Sequence, residues 1–127
     1  MVNPTISFDI DFLDKYSDQK YAGAFEAKTK LTQREQLKKG EISRTLLGMN
    51  PRDAEYQDRA IADALAYLAI HITKAPKWWK DMDNGVECEN TELIVDVYNK
   101  CSAAIEKEFE ALTKKAEEAR KELKDGQ

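Results

Sequence analysis

The strongest hydrophobic pattern of the chain lies between residues 50 and 79 and predicts a central helix. Apolar side chains recur there at steps of three and four, as one buried helix face requires, at Ile61, Leu65, Leu68 and Ile72, with Ala54, Ala62 and Ala69 beside them. Asn50 is a good N-cap, and Pro51 fits the first helical position, where its missing N–H would have no partner. We expect this alanine-rich helix to start near residue 51 and to be stopped by Pro76.

The N-terminal part alternates apolar and polar residues, which is typical of half-buried strands. Phe8, Ile10 and Phe12 alternate with two aspartates, and the segment YAGAFEAKTKL at 21–31 alternates again. The two segments can pair as a short β-hairpin. A flexible arm that docks by its aromatic side chains is the alternative for the first segment. An isolated hairpin is only marginally stable, so it must pack on helices or on another subunit.

Two further helices are predicted, one before and one after the central helix. Thr32 and Glu35 form a capping box, in which each side chain accepts a hydrogen bond from the backbone N–H of the other, and Gly48 is a natural C-terminal stop. From Leu93 onward, apolar residues again step by three and four, so about thirty residues can form one helix roughly 45 Å long. Beyond Thr113 the apolar positions are mainly alanine among charged residues, which indicates a solvated extension.

These patterns predict a mainly α fold: a small helical bundle with a central Ala-rich helix, a long C-terminal helix and a possible short N-terminal β-hairpin. The 127 residues divide into an acidic N-terminal arm or strand at 1–20, a helical domain at 21–112 and a charged C-terminal helix extension at 113–127. A chain of this length is most simply one domain with a single core.

Composition narrows the class of protein. The chain is 35% charged and 42% hydrophobic, with only 5 Gly and 3 Pro, as expected for a soluble, helix-rich protein. No apolar run approaches the roughly 20 residues that a membrane span needs, and acids stand where a signal peptide would be basic. We therefore expect no membrane contact and a location in the cytoplasm.

No residue pattern indicates catalysis or a cofactor. The single histidine, His71, lies near the end of an apolar helix, with no nucleophile at a motif spacing, and is interpreted as structural or surface-exposed. Cys88 and Cys101 match neither a zinc-ligand spacing nor a disulfide framework. None of the five glycines falls in a phosphate-binding loop. We predict a non-enzymatic protein without metal or cofactor.

Acidic residues between positions 81 and 92 partly match a calcium-binding loop. They fall at template positions 1, 3, 7, 9 and 12: Asp81, Asp83, Glu87, Glu89 and Glu92. The register fails, because Gly85 lies where a ligand is needed and Val86 lies where the turn demands glycine. We therefore predict a solvated acidic loop that turns at Asn84-Gly85, with Asn90 or Thr91 capping the helix that follows.

A basic stretch precedes the central helix. Residues 20–52 carry eight Lys or Arg against three Glu, including Lys28, Lys30, Arg34, Lys38, Lys39, Arg44 and Arg52. Phosphate contacts need only accessible cations, yet the interspersed glutamates and the net charge of −4 disfavour nucleic acid. An acidic face of a partner protein, or of another copy of the chain, fits better.

The sharpest candidate contact site is the segment that ends the central helix. Trp78 and Trp79 are adjacent, so their rings point in different directions, and a small domain has difficulty burying both. We predict one ring in the core and one at an interface, with both inside as the alternative. Pro76, Trp78 and Trp79 are the candidate partner-binding residues.

Several segments together resemble the tail assembly chaperones of long-tailed bacteriophages. They are FEAKTKLTQREQ, SRTLLGMNP, an alanine-rich helix ending in APKWW, a Gly-containing acidic loop and a long C-terminal helix, within residues 25–110. The resemblance implies a non-enzymatic, mostly helical protein of the host cell cytoplasm. Such a protein coats the apolar helical tape-measure protein and recruits tail-tube subunits during tail assembly.

Two other classes of phage protein remain open from the residues. A virion structural protein, such as a head-tail connector or tail-completion component, would form rings through complementary basic and acidic faces. A phage inhibitor of a host protein would bind through the same charges. Self-association is compatible with all three classes.

Overall fold

The computed structural model describes residues 5–125. The elements follow in the order β1 (Thr5–Leu13), β2 (Lys20–Lys28), α1 (Gln33–Leu47), α2 (Tyr56–His71), β3 (Ile72–Lys74), α3 (Lys77–Asp81) and α4 (Thr91–Asp125). The predicted long C-terminal helix is present, and the Asn90 side chain caps it by accepting from the backbone N–H of Glu92 at 3.0 Å.

The fold is mixed α/β, so the prediction of a mainly α bundle is wrong. Of the residues that the structure describes, 58% are helical and 18% lie in a three-stranded antiparallel sheet. The strand order is β1-β2-β3, which places β2 in the centre. The hairpin predicted as an optional addition is therefore part of the core, and it gains a third strand that the hydrophobic pattern did not indicate.

The β1–β2 hairpin follows the predicted alternation. Nine residue pairs run from Thr5 opposite Lys28 to Leu13 opposite Lys20. Phe8 lies opposite Phe25, and the two rings stack with centroids 5.1 Å apart and planes only 9° from parallel. Because side chains alternate between faces of a strand, the aromatic residues all point to one face, which is the buried one.

The strand β3 takes residues that were predicted to belong to the central helix. Helix α2 ends at His71, and Ile72 then pairs with Ala27 of β2. Ile72 and Thr73 are β-branched, which favours a strand, and they stand shortly before Pro76. The Thr73 hydroxyl also donates to the Glu26 carbonyl at 3.1 Å, which holds the strand against β2.

The start of α2 also differs from the prediction. The Asn50 side chain accepts a hydrogen bond from the Arg52 N–H at 3.1 Å, and the Asn50 carbonyl accepts one from the Asp53 N–H at 2.9 Å. These bonds close a single turn. Glu55 is then extended, with φ −66° and ψ 151°, so α2 begins only at Tyr56. The Asn-Pro signal produces a local turn in place of a helix N-terminus.

Helix α1 has both predicted caps. The Thr32 hydroxyl accepts from the Glu35 N–H at 3.2 Å, and the Glu35 carboxylate accepts from the Thr32 N–H at 3.0 Å. Gly48 ends the helix in the left-handed conformation, with φ 67°. The capping box and the glycine stop are confirmed because both depend only on residues close in sequence.

The core lies between the sheet, α2 and the first half of α4. Its buried members are Phe8, Ile10, Phe25, Ala27, Leu65, Leu68, Trp79, Leu93, Ile94, Val97, Cys101 and Ile105. Helix α4 packs on β1 and α2, and α1 packs on α2. Past Ile105, α4 becomes exposed, as Leu123 at 72% shows. None of the described helices is both long and apolar enough to span a membrane.

Candidate protein-binding groove

An open groove of about 850 Å³ lies where α1, α2 and the start of α4 meet. Helix α2 forms most of it, because a second row of residues, Tyr56, Ala60, Ala64 and Tyr67, follows steps of four, four and three beside the core stripe. The small side chains of Ala60 and Ala64 leave space between the helices. The groove is therefore a consequence of where α2 carries alanine in place of larger residues.

The groove is mainly apolar. Ile94, which is 4% exposed, lies at its floor, while Val95 and Tyr56 are 48% and 77% exposed. The Tyr67 ring meets Tyr98 edge-on, with ring centroids 5.1 Å apart. Exposed apolar and aromatic side chains that surround a concave surface are typical of a protein-binding site.

Two cations lie on the groove wall. Lys39 and Arg59 are both half-buried, and within residues 5–125 neither forms an ion pair with an acid. The one carboxylate that lines the groove, Asp63, accepts a hydrogen bond from the Ser43 hydroxyl at 2.5 Å. With two cations and one carboxylate, the charged side chains of the groove carry a net positive charge.

Two ionisable groups near the groove, the Tyr67 hydroxyl and the Cys101 thiol, are held in their neutral forms. Burial, and to a lesser extent the neighbouring Cys101 thiol, raises the pKa of Tyr67, so its hydroxyl stays protonated. Burial raises the pKa of Cys101 to about 12. A thiol that remains protonated is a poor nucleophile, so Cys101 serves as a core residue.

Metal ligands do not gather in the described part of the chain. Among residues 5–125, no group of three or more His, Cys, Asp or Glu side chains is placed to hold an ion. The acidic segment after α3 forms the predicted turn, in which Asp83, Asn84 and Gly85 all have positive φ. Its Asp and Glu side chains are exposed. Gly85 itself is buried against the Trp79 ring.

The histidine joins α2 to the sheet. His71 is 5% exposed, and its Nδ1 lies 2.7 Å from the Lys28 carbonyl of β2. Because a carbonyl only accepts, Nδ1 carries the proton. Burial lowers the pKa of His71, the bond to the carbonyl raises it, and the charges of Lys39 and Lys28 lower it further. The net direction is down, so the neutral ring is the stable folded form.

This burial predicts a loss of stability in mild acid. The unfolded chain binds a proton at His71 near pH 6.5, whereas the folded chain binds it only at lower pH. The contribution of the neutral His71 ring to the free energy of unfolding is complete above about pH 6.5 and is lost as the pH falls through the folded-state pKa. We expect the urea concentration at the midpoint of unfolding to be lower at pH 5.5 than at pH 7.5. His71→Gln should flatten this pH dependence, and an equally steep fall in the variant would contradict it.

The three candidate partner-binding residues occupy different environments. Trp79 is 1% exposed and meets Phe25 edge-on at 5.7 Å, so a partner has no access to its ring. Trp78 is half-buried, and its Nε1–H donates to the Ala22 carbonyl at 3.0 Å. Pro76 packs on Gly23, where a Cβ would lie 2.5 Å from the proline Cγ. Contact of Trp78 and Pro76 with a partner stays a prediction.

Comparison with known proteins adds no relative. No protein family, characterised protein or solved structure matches this chain. The groove is therefore defined by its own geometry. Sequence reasoning missed it, although the second row on α2, from Tyr56 to Tyr67, was a usable signal: a helix with apolar residues on two adjacent faces needs two partners.

Proposed function

We propose that this protein is a non-enzymatic tail assembly chaperone of the long-tailed phage type, which holds a helical segment of the tape-measure protein in the groove between α1, α2 and α4. The observation that carries the proposal is the open apolar groove of about 850 Å³ with unpaired cations on its wall. The resemblance in residues 25–110 supports the choice of partner.

The shape and charge of the groove define the segment that fits. An α-helix with its side chains is about 10 Å across, and an amphipathic helix binds in a groove through apolar residues at i, i+3, i+4 and i+7. Lys39 and Arg59 favour glutamate or aspartate beside that apolar stripe. The proposed client is therefore an amphipathic helix with acidic flanks.

Weak binding at one groove suffices for this role. A tape-measure protein presents many helical segments, and successive copies of the chaperone can each hold one. Contacts repeated along one client add to a strong association through effective concentration. Recruitment of tail-tube subunits would then use surfaces outside the groove, which remain exposed in the loaded complex.

The groove is tested by filling it. Ala64→Phe places a ring in the groove and should weaken binding to the co-expressed tape-measure protein at least tenfold, because the client loses its apolar site. Arg59→Glu should weaken binding and reduce its salt dependence. The measurement is co-purification followed by titration of a labelled client helix.

Matched controls separate the groove from general effects. Ala69→Phe adds the same ring at an exposed site on α2 outside the groove, and Arg52→Glu makes the same charge change on the α1–α2 connection. Both should bind as the natural chain does. Unchanged binding by Ala64→Phe would refute the groove. The chaperone role would be refuted if the protein is recovered from purified virions and does not co-purify with the tape-measure protein from infected cells.

A further inference from the structure

Helix α4 continues far beyond the body of the protein. It has 35 residues, and the last of them in the core is Ile105, which is 6% exposed. At 1.5 Å per residue, the part after Ile105 extends for about 30 Å. Phe109 and Leu123 in this part are 38% and 72% exposed. The segment 106–125, called here the α4 extension, leaves apolar side chains uncovered.

The apolar residues of the α4 extension continue the buried stripe from Ile105 as a regular seam. Ile105, Phe109, Leu112, Ala116, Ala119 and Leu123 follow one another at steps of four, three, four, three and four. This is the 3.5-residue period of a coiled coil, in which Phe109, Ala116 and Leu123 take position a, and Ile105, Leu112 and Ala119 take position d. A lone solvated helix has no need for such a period, so the seam indicates a helical partner.

We propose that the partner is a second copy of the chain, and that two α4 extensions pair in antiparallel orientation. Leu112 of one copy then faces Leu123 of the second copy, and Ala116 faces Ala119, each twice by symmetry. The small central alanines allow the two helices to approach closely. The two layers of facing leucines lie at the two ends of the paired part, residues 112–123.

The charges beside the seam favour this partner and this orientation. In antiparallel pairs the g positions face each other, and the register above brings Lys115 of each copy beside Glu122 of the second copy. In a parallel pair, Lys115 would lie beside Arg120 of the second copy, twice. Within the described side chains, Lys115 and Arg120 form no ion pair. The seam is therefore complementary to itself when one copy is reversed.

This inference is independent of the proposed function, since the groove and the α4 extension do not share residues. It gives the chain a second contact surface at the opposite end of α4. Two grooves would then be held on one rod-shaped dimer.

Sedimentation equilibrium of the full chain over a range of concentrations tests the pairing. We expect the mass to rise from monomer to dimer. Lys115→Glu should weaken the dimer about tenfold, because it replaces two attractive pairs by two repulsive ones. Glu122→Lys should do the same, and the double variant Lys115→Glu/Glu122→Lys should restore the association.

A control and a core variant complete the test. Lys114→Glu makes the same charge change at position f, which faces away from the seam, and should leave the dimer unchanged. Leu112→Asp should abolish it, while near-ultraviolet circular dichroism reports that the core around Trp79 is intact. A natural chain that stays monomeric, a tighter dimer for Lys115→Glu, or an unchanged dimer for Leu112→Asp would each overturn the proposal.

Discussion

Gly85→Ala is expected to lower the free energy of unfolding by about 3 kcal/mol. Gly85 has φ +92°, which alanine adopts only with strain, and an added Cβ would lie 2.5 Å from Cη2 of Trp79 and 2.9 Å from its Cζ2. The ring has little freedom to retreat, because it is fully buried and meets Phe25 and Trp78 edge-on. Strain and overpacking therefore add.

The chain supplies a matched control at Gly48. It also has a positive φ, +67°, but a Cβ there would meet nothing within 4 Å. Gly48→Ala should cost only the backbone strain, about 1 kcal/mol. Urea unfolding followed by circular dichroism measures both variants. Equal losses would mean that the Trp79 ring yields to the new methyl group and that packing around it is loose.

Trp79→Ala should destabilise the chain by about 3–5 kcal/mol, because it removes the largest fully buried side chain and leaves a cavity. Trp78→Ala should cost less, about 1–2 kcal/mol, since this ring is half-buried. It loses one hydrogen bond, to the Ala22 carbonyl, and its contacts with Tyr21 and Phe25. Thermal and urea unfolding give both values.

The milder variant Trp79→Phe keeps an aromatic ring in the core and allows measurement if Trp79→Ala does not fold. The decrease in the free energy of unfolding for Trp79→Phe should lie between the decreases for Trp78→Ala and Trp79→Ala. The reverse order, with Trp78→Ala the most damaging, would contradict the assignment of Trp79 to the core. For client binding, only Trp78→Ala tests a contact, because loss of binding by Trp79→Ala reports loss of the fold.

Features set by neighbouring residues were predictable from the sequence. The Thr32–Glu35 capping box, the Gly48 stop and the turn at Asn84-Gly85 are all present, because each depends on a few adjacent residues. The hairpin was predicted only as a possible addition, and it is present because the alternation around Phe8 and Phe25 specifies both the strands and their buried face.

Features set by distant partners were not predictable in the same way. Ile72–Lys74 forms a strand because it pairs with the free edge of β2. The paired residues Ala27 and Ile72 are 45 positions apart in the chain. A periodic helical pattern continued through the same residues, so local reasoning extended the helix. Asn50 was assigned to a helix start because its preference for turns and for caps has one cause, a short side chain that accepts from nearby N–H groups.

For the candidate binding residues, too, the local feature was found from the sequence and the feature that depends on distant residues was missed. The tryptophan pair was found from sequence because aromatic residues carry large contact areas, and one ring lies in the core as expected. The groove was missed, because it exists only where α1, α2 and α4 meet, and no single segment contains it. Its floor residue Ile94 and its wall residue Lys39 are 55 positions apart in the chain.

The order of the elements has a consequence for synthesis on the ribosome. The buried faces of β1 and β2 share one core with Trp79 and with α4 residues as late as Ile105, all of which are synthesised later. Nascent chains that lack these later residues leave the apolar side chains of Phe8, Ile10 and Phe25 open to solvent and to molecular chaperones of the cell. At roughly 5–20 residues per second, this exposure lasts several seconds in each round of translation. The core is therefore complete only when the part of α4 up to Ile105 has left the exit tunnel.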